Sequence, residues 1–355
     1  MDGPQLTRCP GCDTPAPAVS RRQFIRTSAA ALAAGGAPLF ATPKAAAAPT
    51  RTSAAETAVK ALYDSLTEAQ KKEICFAWDH KDPKRGLLRT FVSNNWQITR
   101  PTITGGDFYT KKQQDILHDV FKGLINPEWY ARFLKQLKDD SGGKPWGAVQ
   151  SVAVFGEPGT EQFELVLTGR HQTLRADGNS ETNVAFGGPI FYGHAAQDFN
   201  EKPDHPGNVF WPQALAANKV YEMLDGKQRA RALAAKSPRE SAVGFRGRKI
   251  DQAPGLPAAE MSADQKAELQ KVLEKLVEPF RVEDRDEALA HLKTQGGLDR
   301  CVLTFYEDGD VGDDKVWDNW RLEGPSFVWY FRGDPHVHVW VNVADDSKVK
   351  TNAAG

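Results

Sequence analysis

The sequence predicts an α+β fold: two pseudo-repeated units, each a set of helices followed by an antiparallel β-meander, packed together as one body. Three observations point there. Some stretches carry apolar residues at spacings of three and four, the signature of one helix face. Others are dense in β-branched and aromatic residues between turn-rich links, as strands are. The series of such segments then occurs twice, in the same order.

The first helical segment contains Leu62-Tyr63-Asp64-Ser65-Leu66, followed by Ala69-Gln70-Lys71; it returns as Val220-Tyr221-Glu222-Met223-Leu224, followed by Lys227-Gln228-Arg229. A second helix is expected after Thr110, with Leu117, Phe121 and Leu124 on one face, and its counterpart after Ser262, with Leu269, Leu273 and Leu276. Thr110 and Ser262 are both good N-caps, so each start is specified locally. The strands recur as well: Val152-Ala153-Val154-Phe155 with Val302-Leu303-Thr304-Phe305, and Val166-Leu167-Thr168-Gly169 with Arg321-Leu322-Glu323-Gly324. These segments place the units at 55–200 and 201–345, with 346–355 read as a disordered tail. The stretch from Lys236 to Pro257, rich in Pro, Gly and Arg, is expected to join helices within the second unit.

Residues 1–47 read as a twin-arginine signal peptide. Ser20-Arg21-Arg22-Gln23-Phe24-Ile25-Arg26 precedes an Ala/Gly-rich run, and Ala45-Ala46-Ala47 offers a small-residue cleavage site. The run is too short and too rich in Ala, Gly and Pro to span a bilayer, which needs about 20 strongly apolar residues. No later stretch is apolar enough, so no stable membrane insertion of the mature chain is expected. The signal implies the twin-arginine export machinery as partner and a periplasmic or extracellular location. Beyond residue 47 there remain 40 basic and 44 acidic side chains, a mildly acidic balance that offers no field for nucleic acid. Of four cysteines, Cys9 and Cys12 precede the twin arginines. Cys75 and Cys301 remain, either as a disulfide or as two separate thiols.

The chemistry-bearing pattern lies near the C-terminus. Ser326-Phe327-Val328-Trp329-Tyr330-Phe331 leads through Arg332-Gly333-Asp334-Pro335 into His336-Val337-His338-Val339-Trp340-Val341, a hairpin signature. Side chains two apart on a strand share a face about 6.6 Å apart, so His336 and His338 can converge on one cation while the valines face a core. A transition metal (Zn, Cu or Fe) needs further ligands. His171 and His194, at the β-rich end of the first unit, complete the expected set. The competing reading makes His336 and His338 the polar face of an edge strand. His118 and His291, in helical patterns among charged residues, are expected to be solvated. Tyr306 to Asp314 lacks the spacing and terminal Glu of a calcium loop, and most of the nine tryptophans, Trp320, Trp329 and Trp340 among them, read as core. There is no nucleophile elbow, phosphate loop or dinucleotide fingerprint.

Leu66-Thr67-Glu68-Ala69-Gln70, Val154-Phe155-Gly156-Glu157-Pro158-Gly159, Leu167-Thr168-Gly169-Arg170-His171 and Leu322-Glu323-Gly324-Pro325-Ser326, closing on His336-Val337-His338, resemble the bacterial family known as domain of unknown function 3500. The resemblance spans nearly the whole chain after the signal and implies the same fold and element order, with no reaction attached. Where that family shows Gly-His-His, this chain has Gly169-Arg170-His171, which replaces one imidazole by a permanent cation and makes Arg170 a candidate anion-binding side chain. Two function classes follow: an exported metal-dependent enzyme, hydrolytic or oxidative, or a non-catalytic periplasmic binding or scaffold protein.

Overall fold

The computed structural model describes residues 48–195, 207–310 and 314–353, all within one compact unit. The twin-arginine segment lies outside the described residues.

Local capping sets the helices. Helix α1 (Ala54–Ser65) is followed by α2 (Glu68–Ile74), and α3 (Lys111–Leu124) by α4 (Pro127–Asp140); later come α5 (Trp211–Glu222), α6 (Gly226–Ala232), α7 (Ala263–Val277) and α8 (Val282–Thr294). Thr67, Thr110, Asp225 and Ser262 each close a capping box with a Gln three residues on. The capping glutamines join in pairs, Gln70 Nε2 donating to Gln113 Oε1 at 2.9 Å and Gln265 Nε2 to Gln228 Oε1 at 2.8 Å. Thus each cap also fixes one helix start against another. Helix α1 packs on α3 and α5 on α7. Gly123 allows the first of these contacts, since a Cβ there would lie 3.0 Å from the Ala55 backbone nitrogen. The corners α3–α4 and α7–α8 also meet: Asn126 N–H donates to Pro279 O at 3.0 Å and Arg281 N–H to Leu124 O at 3.0 Å.

The strands are β1 (Cys75–Phe76), β2 (Lys81–Asp82), β3 (Gly86–Leu87), β4 (Ser151–Gly156), β5 (Phe163–Gly169), β6 (Gln172–Ala176), β7 (Ile190–His194), β8 (Leu233–Ala234), β9 (Leu256–Pro257), β10 (Val302–Tyr306), β11 (Asn319–Gly324), β12 (Phe327–Arg332) and β13 (Val337–Val343). Apart from the β2–β3 pair they form one mixed sheet of eleven strands, ordered β1-β4-β5-β6-β7-β13-β12-β11-β10-β8 with β9 beside β10. Runs β4 to β7 and β10 to β13 are antiparallel meanders. They meet at the antiparallel β7–β13 pair, while β1 and β8 add parallel to β4 and β10.

The two faces of the sheet differ. Helices cover one, on which Val154, Leu167, Tyr192, Leu322, Trp329 and Val339 bury their side chains; each such side chain contributes about 1.5–3 kcal/mol. Connecting segments cover the other. Trp96 Nε1 donates to Thr173 Oγ1 at 2.9 Å, Ile98 N–H to Thr168 Oγ1 at 3.0 Å, and Tyr330 OH to Pro238 O at 3.1 Å. Lys236 to Pro257 therefore links α6 and β8 to α7, as expected, and also roofs the second face. Among the described residues, Cys75 and Cys301 are both free thiols. Cys75 opens β1 at one edge of the sheet and Cys301 precedes β10 near the other, several strand spacings of about 4.8 Å away.

The expected disordered tail is instead packed as far as residue 353. Asn342 Nδ2 donates to Thr351 Oγ1 at 3.0 Å, Asn352 N–H donates to Thr90 Oγ1 at 3.2 Å, and Ala353 is buried. The polar tail closes the edge of the connecting layer, a tertiary role that its composition does not announce. Trp320, Trp329 and Trp340 are core residues. Among the described residues no helix is long and apolar enough to cross a membrane.

Candidate metal centre

The register of β13 places the site. Val337 pairs with His194 and His338 with Gly193 on β7. Residues directly opposite on neighbouring strands share a face. Val337 and Val339 point into the helix-covered core, so His338 turns to the other face, against Phe191 with ring centroids 5.1 Å apart. Gly193 is required opposite it, because a Cβ there would meet the Val337 carbonyl.

His171 reaches the same point from the β5–β6 turn. It adopts a left-handed φ of 52°, uncommon for a residue with a side chain, and its N–H donates to Asn94 O at 2.9 Å. The ring centroids of His171, His336 and His338 lie 5.0, 5.0 and 4.5 Å apart. Each offers one nitrogen, and these nitrogens all lie within 4.8 Å of one another. His171 and His338 are buried and His336 half-buried.

Two carboxylates hold the pair. Nδ1 of His171 is 2.7 Å from Oδ2 of Asp140, the last residue of α4. Nδ1 of His338 is 2.5 Å from Oε2 of Glu240, with Arg332 Nη2 at 2.8 Å from the same nitrogen. Burial works against ionisation at both acids, but Asp140 is held below its usual range by His171, by the Ala195 N–H and by Gln136. Glu240 is held down to about 2 by His338 and Arg332. An ionised carboxylate can only accept, so the His171 Nδ1 carries the proton; at His338 the shorter contact to Glu240 favours the same tautomer over the one that would accept from Arg332. In neutral rings both Nε2 atoms then present lone pairs, and they face each other at 3.1 Å. Two lone pairs at that separation need a positive charge between them, a proton or a metal ion. A tetrahedral ion bonded at 2.0–2.1 Å would separate its nitrogens by about 3.3 Å, close to what is present. Burial, then His171 and Arg332, depress His336 to about 4; burial likewise takes His338 to about 3 despite Glu240. The group could therefore hold a metal ion.

Of the four expected ligands, three come together. His194 does not join them: its pairing with Val337 turns it to the helix-covered face, where Nε2 lies 3.4 Å from Asn208 Oδ1 and its ring lies against Phe210. Arg170 precedes His171, and its cation lies near enough to depress His336 further. Sequence reasoning missed Asp140 and Glu240. Asp140 had left a trace, because a carboxylate at a helix C-terminus opposes the dipole and calls for another partner. Glu240, inside the linker, left none. The helical histidines, expected to be solvated, both pack against the protein, His118 only in part. His118 is hydrogen-bonded to Tyr130 OH at 2.6 Å, and His291 is buried because α8 lies against β13.

The fold and site thus define an α+β protein with a three-histidine group backed by carboxylates. Residues 48–343 match the family described as protein of unknown function (DUF3500), and the chain belongs to that family. No curated protein and no solved structure matches it.

Proposed function

We propose that the protein is an exported, metal-dependent hydrolase whose ion is held by His171, His336 and His338. The observation that carries this is the facing of two Nε2 atoms whose Nδ1 atoms each meet a carboxylate, an outer-shell pattern that orients imidazoles toward a metal. The carboxylates engage Nδ1 rather than joining the convergent nitrogens. The donor set is then all nitrogen, which suits zinc better than the two-histidine, one-carboxylate set of iron oxygenases. Three protein ligands leave a position for water or substrate, and zinc supplies Lewis acidity there. Arg170 supplies a fixed cation for an anionic substrate.

Export rests on Ser20-Arg21-Arg22 and its Ala/Gly-rich run; a route for folded proteins suits an ion loaded beforehand. We also read the two halves as a duplication. The paired glutamine caps, the joined helix corners and a sheet order that runs outward alike from β7–β13 support it.

Elemental analysis of protein purified after export tests the function. Wild type should hold near-stoichiometric zinc and the His336→Ala/His338→Ala double variant none. A folded wild type free of transition metal would point instead to a binding or scaffold protein.

A further inference from the structure

We infer that the cleft beside Arg170 is the substrate subsite of this centre and that it takes the hydroxylated monocarboxylate part of a hydrolysable derivative, a sugar acid in chemical class, for which the free acid is the binding probe. The inference rests on the metal-centre reading for its catalytic meaning, and on the cleft itself for its chemistry. The cleft, about 370 Å³, is lined by Asn95, Trp96, Gln97, Ser141, Val149 and Arg170. That is the size of a small-molecule site.

Its position is fixed by the same residues that fix His171. Arg170 precedes His171 in the β5–β6 turn, Ser141 follows the Asp140 that holds its Nδ1, and Asn95 follows the Asn94 that accepts its N–H. Asn95 and Arg170 are themselves bridged backbone to backbone. Three walls of the cleft therefore stand one residue from His171 itself or from a group that touches it. A ligand seated there is carried on the frame of the metal site.

The lining selects the ligand. Val149 and Trp96 are its apolar side chains and give it a wall on which the face of a sugar ring can lie, while the other lining side chains are polar. Arg170 brings one guanidinium, whose buried Nε has no protein hydrogen-bond partner. A planar fork suits one carboxylate. A phosphate dianion suits the cleft poorly, because Ser141 stands at the C-terminal end of α4, where the helix dipole is negative. The amides of Asn95 and Gln97 and the Ser141 hydroxyl both donate and accept, as hydroxyl groups of a ligand require.

Isothermal titration with D-glucuronate, glucose and inorganic phosphate, on zinc-loaded and chelator-treated full-length protein, tests the assignment, with zinc content measured on the same samples. Glucuronate should bind wild type, glucose and phosphate more weakly. Arg170→Gln should lose at least about tenfold in glucuronate affinity while keeping its zinc and its far-ultraviolet circular dichroism. No binding of glucuronate, phosphate binding as tightly, or an unchanged Arg170→Gln would each overturn the subsite. Glucuronate binding in a wild type that holds no zinc would uphold the cleft and sink the metal centre.

Discussion

The central strands β6, β7 and β13 run between two buried charged clusters, and the two ends solve the same electrostatic problem in opposite ways. At one end, His171, His336 and His338 converge beside ionised Asp140 and Glu240, with burial depressing His336 and His338. At the other, beyond Ala176 and Val343, burial raises the acids: Asp177 to about 7, Asp284 to about 6 despite Arg281, and Glu287 to about 9 with help from its acidic neighbours. Arg281 grips Glu56 through both terminal nitrogens at 2.8 Å and Asp284 at 3.0 Å. Charge at the acidic end is consumed by partners within the protein, which is how a structural cluster behaves. Charge at the histidine end is arranged so that lone pairs converge. The difference separates a cluster that closes on itself from one that could hold a metal ion.

The largest expected effect lies at the acidic end. Arg281→Met removes the cation from Glu56, which is fully buried, and from Asp284; breaking such a pair costs about 3–5 kcal/mol. Urea unfolding should show that loss, with zinc content per folded molecule unchanged. A loss below about 1 kcal/mol, the range of exposed pairs, would mean the cluster is not the structural element its geometry indicates.

Next comes the carboxylate behind His171. In Asp140→Asn the new Oδ1 still accepts the Ala195 N–H, but an amide N–H then faces Nδ1. The ring must turn its lone pair there and carry its proton on Nε2, aimed at the metal position. Zinc affinity, read by competition with a chelator, should fall about 10–100-fold. Unaltered affinity would reduce Asp140 to a structural hydrogen bond and erase the contrast between the ends.

Local signals carried much of the fold and part of the site. The caps at Thr110 and Ser262 and the hairpin into His336 were legible because cap chemistry and strand alternation act within a few residues. Alternation also assigned Val337 and Val339 to the core, so His338 had to face away. His194 failed on the same rule applied between strands: which residue of β7 stands opposite Val337 is a matter of register across the long separation from His194 to Val337, and one step of register exchanges the faces. Glu240 meets His338 only because the linker folds back over the sheet. The tail residue Asn352 is anchored by Thr90, far off in sequence. No local pattern encodes either contact.

A third measurement distinguishes the ends by pH. For Glu287, raised from 4.5 to about 9, the folded state keeps a proton that the unfolded chain has released between those values. Its contribution to stability is therefore complete below about pH 4.5 and declines as pH rises to about 9, by at most about 1.4 kcal/mol per unit. For His336 and His338 in chelator-treated protein, depressed from 6.5 to about 4 and about 3, the unfolded chain takes protons the folded state refuses. Stability there is lost as pH falls below 6.5. Glu287→Gln keeps a neutral acceptor for the Phe186 N–H, which Glu287 Oε2 now accepts at 3.2 Å, and removes only the titration. Unfolding free energies at pH 5, 7 and 8.5 should show wild type and variant nearly equal at pH 5 and diverging steadily toward pH 8.5, where the wild type is the less stable. Parallel curves would show that Glu287 is ionised in the folded state and that the two ends do not differ in the way their burial and partners dictate.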